Sequence, residues 1–236
     1  MKKVYVFDVD GTLTPSRQQI DEEFKQFFLT FTEQHDVYFL TGSDKEKTIE
    51  QITEEVWLKS KASLQSAGNH IFIEGKEVYR NDWSAGQKLI DLLEFFLKNT
   101  PYPTKTSIHS EVRVGLLNFS TVGRCATQEE RENYEEWDKV HKERKFMVES
   151  INFRFPELEA SAGGQISIDI HPKGANKSQA KEWILNRYDE EVQIVFFGDK
   201  TMEGGNDYPI AEVLTEPHIV KQVENWEKTY ELLKQE

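Results

Sequence analysis

The sequence predicts an α/β protein: a doubly wound parallel-sheet core into which a separate α+β unit is inserted. Three observations predict it. Short apolar runs that end in polar residues alternate with helical segments near both ends of the chain, the pattern of parallel strands joined by crossovers. The middle of the chain mixes strands and helices without that alternation. Two turn-like joints, Asn81-Asp82-Trp83-Ser84 and Pro172-Lys173-Gly174-Ala175, bracket the middle. They divide the chain into a core of residues 1–81 and 175–236 and an inserted unit of residues 82–174, and two crossings close together allow hinge motion.

Val4-Tyr5-Val6-Phe7, β-branched and aromatic, reads as a buried strand ending at Asp8. Ile20, Phe24, Phe27 and Phe28 mark a helix after it. Val37-Tyr38-Phe39-Leu40 is a second buried strand, ending at Thr41-Gly42-Ser43-Asp44, and a helix over roughly residues 44–57 follows. In the middle unit, Leu89, Ile90, Leu92, Leu93, Phe95 and Phe96 give residues 88–98 a helical apolar pattern. Residues 112–122 read as a strand or hairpin, and residues 128–148 as a heavily charged helical region. Ile166, Ile168 and Ile170 alternate with Ser167, Asp169 and His171, the period of a half-exposed strand. A helical segment near residues 178–186 then leads to a third apolar strand, Val192 to Phe197, ending at Gly198-Asp199.

The composition narrows the function. The 236 residues carry 42 Asp and Glu against 29 Lys and Arg, a formal net charge of -13. Binding to nucleic acid or to an anionic membrane needs clustered cations, so neither partner is expected; a small phosphorylated substrate needs only a local positive site. The single cysteine, Cys125, excludes an internal disulfide framework and a cysteine-based zinc site. No apolar run approaches the roughly 18–20 residues that span a bilayer, and the first residues lack a signal-peptide core. A soluble cytoplasmic protein is expected.

Ligands of open parallel sheets bind at the carboxyl ends of the strands. The first strand ends in Asp8-Val9-Asp10-Gly11-Thr12: two carboxylates that can face one crevice, then a glycine that lets the chain turn. Asp199 ends the third strand, and Asp207 follows in Gly204-Gly205-Asn206-Asp207. Two carboxylates about 4 Å apart repel by roughly 4 kcal/mol at an effective dielectric near 20. A divalent cation offsets this, and hard oxygen ligands suit Mg²⁺. Beside such a cation, Asp8 can attack a phosphoryl group as a nucleophile, and Asp10 can move the proton of the leaving or attacking oxygen. Thr41 supplies a hydroxyl and Lys177 a positive charge for the transferring phosphoryl oxygens. Any one of these residues alone reads as a cap or turn former; the ordered set does not.

That set, strand–Asp-x-Asp-Gly-Thr, strand–Thr-Gly, Lys, strand–Gly-Asp, resembles the haloacid dehalogenase (HAD) superfamily of phosphoryl-transfer enzymes. The resemblance implies a HAD-like core with an α+β cap. It implies Asp8 as nucleophile, Asp10 as general acid/base, Thr41 and Lys177 as phosphoryl-binding groups, and Mg²⁺ held by Asp8, Asp10 (through its carbonyl) and Asp199.

Arg113, Arg124 and Arg131 fall within nineteen residues of an acidic chain, and Arg17 follows the nucleophile closely. Guanidinium forks grip phosphate, so these residues suggest a second phosphate at the far end of the substrate. Ser167 and Asp169 share one strand face and suit sugar hydroxyls. Longer segments also resemble the eukaryotic-type phosphomannomutase family: Asp8 to Gln18, Arg113-Val-Gly-Leu-Leu-Asn118-Phe-Ser120-Thr-Val-Gly-Arg124, Glu129-Glu-Arg131, Gly163-Gly-Gln-Ile-Ser167-Ile-Asp169, and Gly198 to Asp207. The chain departs from that family's pattern at Thr41, Val114, Thr121, Gly174-Ala175-Asn176 and the Tyr-Pro-Ile-Ala after Asp207.

The resemblance implies conversion of mannose 6-phosphate to mannose 1-phosphate through an aspartyl-phosphate and a hexose 1,6-bisphosphate, which also serves as activator. It implies that the arginines, Ser167 and Asp169 bind the hexose phosphate and that Asp207 joins the metal set. It further implies a homodimer through the cap and a place in mannose metabolism and GDP-mannose biosynthesis. The alternative readings are a sugar-phosphate phosphatase of the same superfamily and a catalytically silent sugar-phosphate binder; intact Asp8, Asp10 and Asp199 argue against the latter.

Overall fold

The computed structural model describes residues 1–15 and 18–236. It divides into two compact units, residues 1–80 with 175–236, and residues 81–174; the first joint falls between Arg80 and Asn81, one residue before the expected boundary. In chain order, the first unit begins with β1 (Lys2–Phe7), α1 (Glu22–Gln34), β2 (Asp36–Leu40), α2 (Lys45–Lys59), β3 (Ala62–Gln65), β4 (His70–Ile73) and β5 (Lys76–Arg80). The second unit holds α3 (Gln87–Asn99), β6 (Ser110–Arg113), β7 (Leu116–Phe119), α4 (Gln128–His141), α5 (Glu143–Arg154), β8 (Leu158–Gly163) and β9 (Ser167–Pro172). The chain then completes the first unit with a short 3-10 turn at Lys177–Gln179, α6 (Ala180–Leu185), β10 (Val192–Gly198), α7 (Tyr208–Val213), β11 (Ile219–Gln222) and α8 (Trp226–Leu233).

The core sheet runs β11-β10-β1-β2-β3-β4-β5. The strands from β11 to β3 are parallel, and β4 and β5 extend the sheet as an antiparallel hairpin. Successive side chains of the central strands go to opposite faces. Tyr5, Phe7, Val37, Phe39, Val195 and Phe197 pack against Phe24, Phe28 and Phe31 of α1, Ile52 and Val56 of α2, and Leu233 of α8. Val4, Val6, Tyr38, Leu40, Ile194 and Phe196 pack against Ala180 and Ile184 of α6 and Ile210 of α7. Helices therefore cover both faces, which is why the inner runs of these strands, Val4–Phe7, Val37–Leu40 and Ile194–Phe197, are apolar without alternation. Asp21 caps α1 by accepting from the amides of Glu23 and Phe24, so Ile20 precedes the helix yet is buried; Asp44 caps α2 through the Lys47 amide.

The second unit is a four-stranded antiparallel sheet, β6-β7-β9-β8. One face packs Leu117, Phe119, Ile168 and Ile170 against Leu92, Leu93 and Phe96 of α3 and Met147 and Ile151 of α5. Residues 112–122, expected as a strand or hairpin, contribute to the β6–β7 hairpin, turning at Gly115. The charged helical region expected over residues 128–148 is two helices, parted at Lys142, whose left-handed backbone (φ 57°) ends α4. The expected half-exposed strand is more covered than its alternation suggests: Ser167 is buried as well as Ile166, Ile168 and Ile170, because Arg124 reaches across to its hydroxyl. Among the described residues, no helix is long and apolar enough to cross a membrane.

Candidate active site

The site grows from the carboxyl ends of β1 and β10. The Asp8 amide continues the ladder to the Phe197 carbonyl at 2.9 Å. The amides of Thr12, Leu13 and Thr14 then fold back onto the Val9 carbonyl at 3.2, 2.9 and 3.2 Å. This tight turn requires Gly11 at φ +87°, where a Cβ would stand 2.7 Å from Asp199 Oδ2. Next door, the Lys200 amide donates to Asp207 Oδ2 and the Asp207 amide to the Lys200 carbonyl, each at 3.1 Å. Gly205 lets that loop close; a Cβ there would lie 2.1 Å from the Lys200 carbonyl oxygen.

These turns gather Asp8, Asp199 and Asp207, which offer carboxylate oxygens all within 4.8 Å of one another. Asp8 and Asp207 are buried, at 2% and 0% exposure, and so is Lys177 at 1%. The Lys177 ammonium donates to Asp8 Oδ1 at 2.7 Å and to Asp207 Oδ1 at 2.5 Å. Burial pushes Asp8 up to about 7, opposed by Lys177 and reinforced by Asp207 and Asp199. Burial also raises Asp199. For Lys177, burial works against the charged form, but the Asp207 and Asp8 carboxylates outweigh it and the ammonium holds its proton more tightly than usual.

Three carboxylates around one ammonium leave the cluster with excess negative charge, and Asp199 Oδ1 is buried with no hydrogen-bond partner. A concentrated set of hard oxygen donors, one of them unsatisfied, fits a divalent cation. The Asp10 carboxylate is outside this cluster. It accepts from Gln51 Nε2 at 3.1 Å and lies 3.9 Å from the Lys47 ammonium. Thr41, buried at the end of β2 beside β1, accepts at its hydroxyl from the Ser43 amide at 3.1 Å.

Within the second unit, the sheet face opposite the helices carries a polar row. Register aligns Glu111, Asn118, Asp169 and Ser161 across all four strands. Asn118 Nδ2 donates to Asp169 Oδ1 at 2.6 Å. Arg113 Nε donates to Glu111 Oε1 at 2.8 Å and Arg124 Nε to Glu111 Oε2 at 2.9 Å. Arg124 Nη1 donates to Ser167 Oγ at 3.0 Å. Arg131, on α4, is held to the same loop by the carbonyls of Ala126 at 3.0 Å and Arg124 at 2.7 Å. Arg113, Arg124, Ser167 and Asp169 therefore belong to one polar layer, with Arg131 anchored to the Arg124 backbone. Arg17 lies outside the described residues.

Sequence reasoning missed residues that organise these networks, Gln51 and Glu111 foremost. Gln51, buried on α2, holds Asp10 and also donates to Thr14 Oγ1 at 3.1 Å; an amide on an otherwise apolar helix face was its signal. Glu111 joins two arginines; its alternation with Arg113 along a strand was the available hint.

A family profile described as eukaryotic phosphomannomutase matches residues 24–235. A phosphomannomutase of Saccharomyces cerevisiae is 36% identical over 213 residues, covering 87% of this chain and 83% of its own. One of Arabidopsis thaliana is 34% identical over 221 residues, covering 89% and 87%. Among solved structures, a haloacid dehalogenase-like hydrolase of Bacteroides thetaiotaomicron superposes with a TM-score of 0.63 at 12% identity, over 100% of this chain and 99% of that one. At that identity the likeness speaks for the fold alone.

Proposed function

The chain belongs to the eukaryotic phosphomannomutase family, and on that premise we propose that it interconverts mannose 6-phosphate and mannose 1-phosphate through an aspartyl-phosphate on Asp8. The observation that carries the proposal is the buried Asp8–Lys177–Asp207 triad with Asp199 beside it. A protein that only bound its ligand would gain nothing from burying so many like charges.

Family membership implies a divalent metal, and Mg²⁺ is the ion we assign. Asp8, Asp199 and Asp207 would hold it, with the Asp10 carbonyl, and when bound it would shield the phosphoryl group from the surrounding carboxylates. With Asp8 phosphorylated, the free hydroxyl of the sugar monophosphate attacks the aspartyl-phosphate, Asp10 takes the hydroxyl proton, and Asp8 is released as a carboxylate. The sugar then carries two phosphates, a hexose 1,6-bisphosphate. In the second half the other phosphate meets Asp8, a carboxylate oxygen attacks its phosphorus, the bond from phosphorus to the sugar oxygen breaks, and Asp10 returns its proton to the departing oxygen. The aspartyl-phosphate is regenerated, and an added hexose 1,6-bisphosphate would prime Asp8 by the same second half. Lys177, kept protonated by its two carboxylate neighbours, balances charge on the transferring group, and the Thr41 hydroxyl binds one of its oxygens.

Arg113, Arg124 and Arg131 are assigned to the phosphate that is not reacting, and Ser167 and Asp169 to sugar hydroxyls. Arg17 joins this substrate group on the sequence resemblance. Exposed Phe95 on α3 and Phe146 and Phe153 on α5, helices that share one face of the second unit's sheet, support a homodimer through that unit. The lone cysteine, unable to form an internal disulfide, supports a cytoplasmic setting, where mannose 1-phosphate would feed GDP-mannose formation.

A coupled assay of mannose 1-phosphate conversion with Mg²⁺, with and without glucose 1,6-bisphosphate, tests the reading. Bisphosphate-stimulated conversion with little free phosphate is expected. Stoichiometric release of inorganic phosphate, independent of bisphosphate, would make the enzyme a phosphatase instead.

A further inference from the structure

We propose that Glu111 is a positioning residue for sugar-phosphate binding, its carboxylate joining the guanidiniums of Arg113 and Arg124 into one preset anion receptor. The proposal rests on the assignment of those arginines to the non-reacting phosphate.

Arg113 ends β6, whereas Arg124 stands in the loop that follows β7. The Arg124 amide donates to the Ile108 carbonyl ahead of β6 at 2.8 Å, which places the two backbones side by side but leaves the side chains free to turn, and each long side chain carries about 2 kcal/mol of rotamer entropy. Glu111 spends one oxygen on each: Oε1 on Arg113 Nε at 2.8 Å and Oε2 on Arg124 Nε at 2.9 Å. A bond at Nε fixes the plane of a guanidinium without using its terminal nitrogens. Arg124 is then held from the other end by Ser167 Oγ. Glu111 is itself fixed in the sheet opposite Asn118, whose amide holds Asp169. One cross-strand row thus connects the two arginines with both sugar-hydroxyl candidates.

The three charged side chains are partly open to solvent, Glu111 at 37%, Arg113 at 35% and Arg124 at 26%. Ion pairs so exposed add little to fold stability. Their value lies in ordering the receptor before the ligand arrives, so that less freedom is lost on binding.

The sign of the effect separates this role from simple electrostatics. Removing an anion next to a phosphate subsite strengthens phosphate binding by Coulomb attraction alone, whereas removing a positioning carboxylate weakens it. In the full-length enzyme with Mg²⁺, Glu111→Ala is expected to raise KM for mannose 1-phosphate about tenfold with kcat within about twofold. Glu111→Gln, which retains one acceptor, should fall between. In an Arg124→Ala background, Glu111→Ala should add much less than it does alone. If Arg113→Ala and Arg124→Ala raise KM while Glu111→Ala leaves it unchanged or lowers it, the positioning role is overturned and the arginine assignment stands. If KM is unchanged in all three, the assignment itself fails and Glu111 falls with it. A lowered melting temperature with unchanged KM also overturns the proposal, since it marks a purely structural role.

Discussion

Lys177 Nζ lies 2.7 Å from Asp8 Oδ1, with both side chains sealed from water. The same ammonium serves Asp207, so one cation holds two carboxylates of the acidic cluster in register. Lys177→Met removes the charge at similar bulk. In metal-free buffer it is expected to cost about 3–5 kcal/mol, because Asp8 and Asp207 then face each other uncompensated. Urea unfolding measures this, and Mg²⁺ should restore more stability to the variant than to the wild type. A variant as stable as wild type without metal would count against the triad.

Cation binding should depend on pH with a definite sign. The metal-free site holds a proton on Asp8 up to about pH 7, where the unfolded chain releases it near 3.8. This group therefore makes metal-free stability fall as pH rises from about 4 to 7. A cation needs the ionised carboxylate, so its binding expels the proton. Mg²⁺ affinity measured calorimetrically should weaken by up to about tenfold per pH unit below 7. A flat profile between pH 5 and 7 would refute the raised Asp8.

Gly11→Ala perturbs the proposed metal set without replacing any of its assigned ligands. Its φ of +87° disfavours a side chain, and the added methyl would press on Asp199 Oδ2. Mg²⁺ affinity should fall at least about tenfold, equivalent to about 1.4 kcal/mol, with a further stability loss of about 1 kcal/mol from backbone strain. Unchanged affinity would show that Asp199 has room to move or does not bind the ion.

Gln51→Leu keeps the helix face filled but withdraws the donor to Asp10 and Thr14. The expected result in steady-state kinetics is a kcat about tenfold lower with KM nearly unchanged, since a misdirected acid/base harms proton transfer more than binding. A change confined to KM would place Gln51 with the substrate instead.

Phe146→Glu combined with Phe153→Glu puts two charges on the exposed aromatic positions of α5. If copies of the chain meet there, sedimentation should show dimer for wild type and monomer for the double variant. A double variant that stays dimeric would move the interface elsewhere.

The central strands were legible because burial on both faces makes their inner runs apolar without alternation, a signal that survives without neighbours. Asp8 and Asp199 were legible at strand ends, and Lys177 by its place in the order between them, ahead of a helix. The β4–β5 hairpin was not, since every residue of β5 is exposed and its pairing leaves no apolar alternation. Nor was the break at Lys142, where a lysine takes the left-handed conformation that glycine usually marks. Glu111 stayed hidden because the apolar pattern inverts on an edge strand. Val112 is 73% exposed, while the charged residues on either side of it are tied into a network.

The pairing of β1 with β10, from Lys2 beside Val192 to Phe7 beside Phe197, ties together segments far apart in the sequence, with the whole inserted unit between them. As synthesis proceeds, β1 waits with one edge open until residues 192–198 emerge. All four strands of the inserted unit exist by then. Nascent chains therefore face a long interval in which an aromatic strand lacks its mate. A stalled or truncated product ending before residue 192 should be a preferred client of holding chaperones.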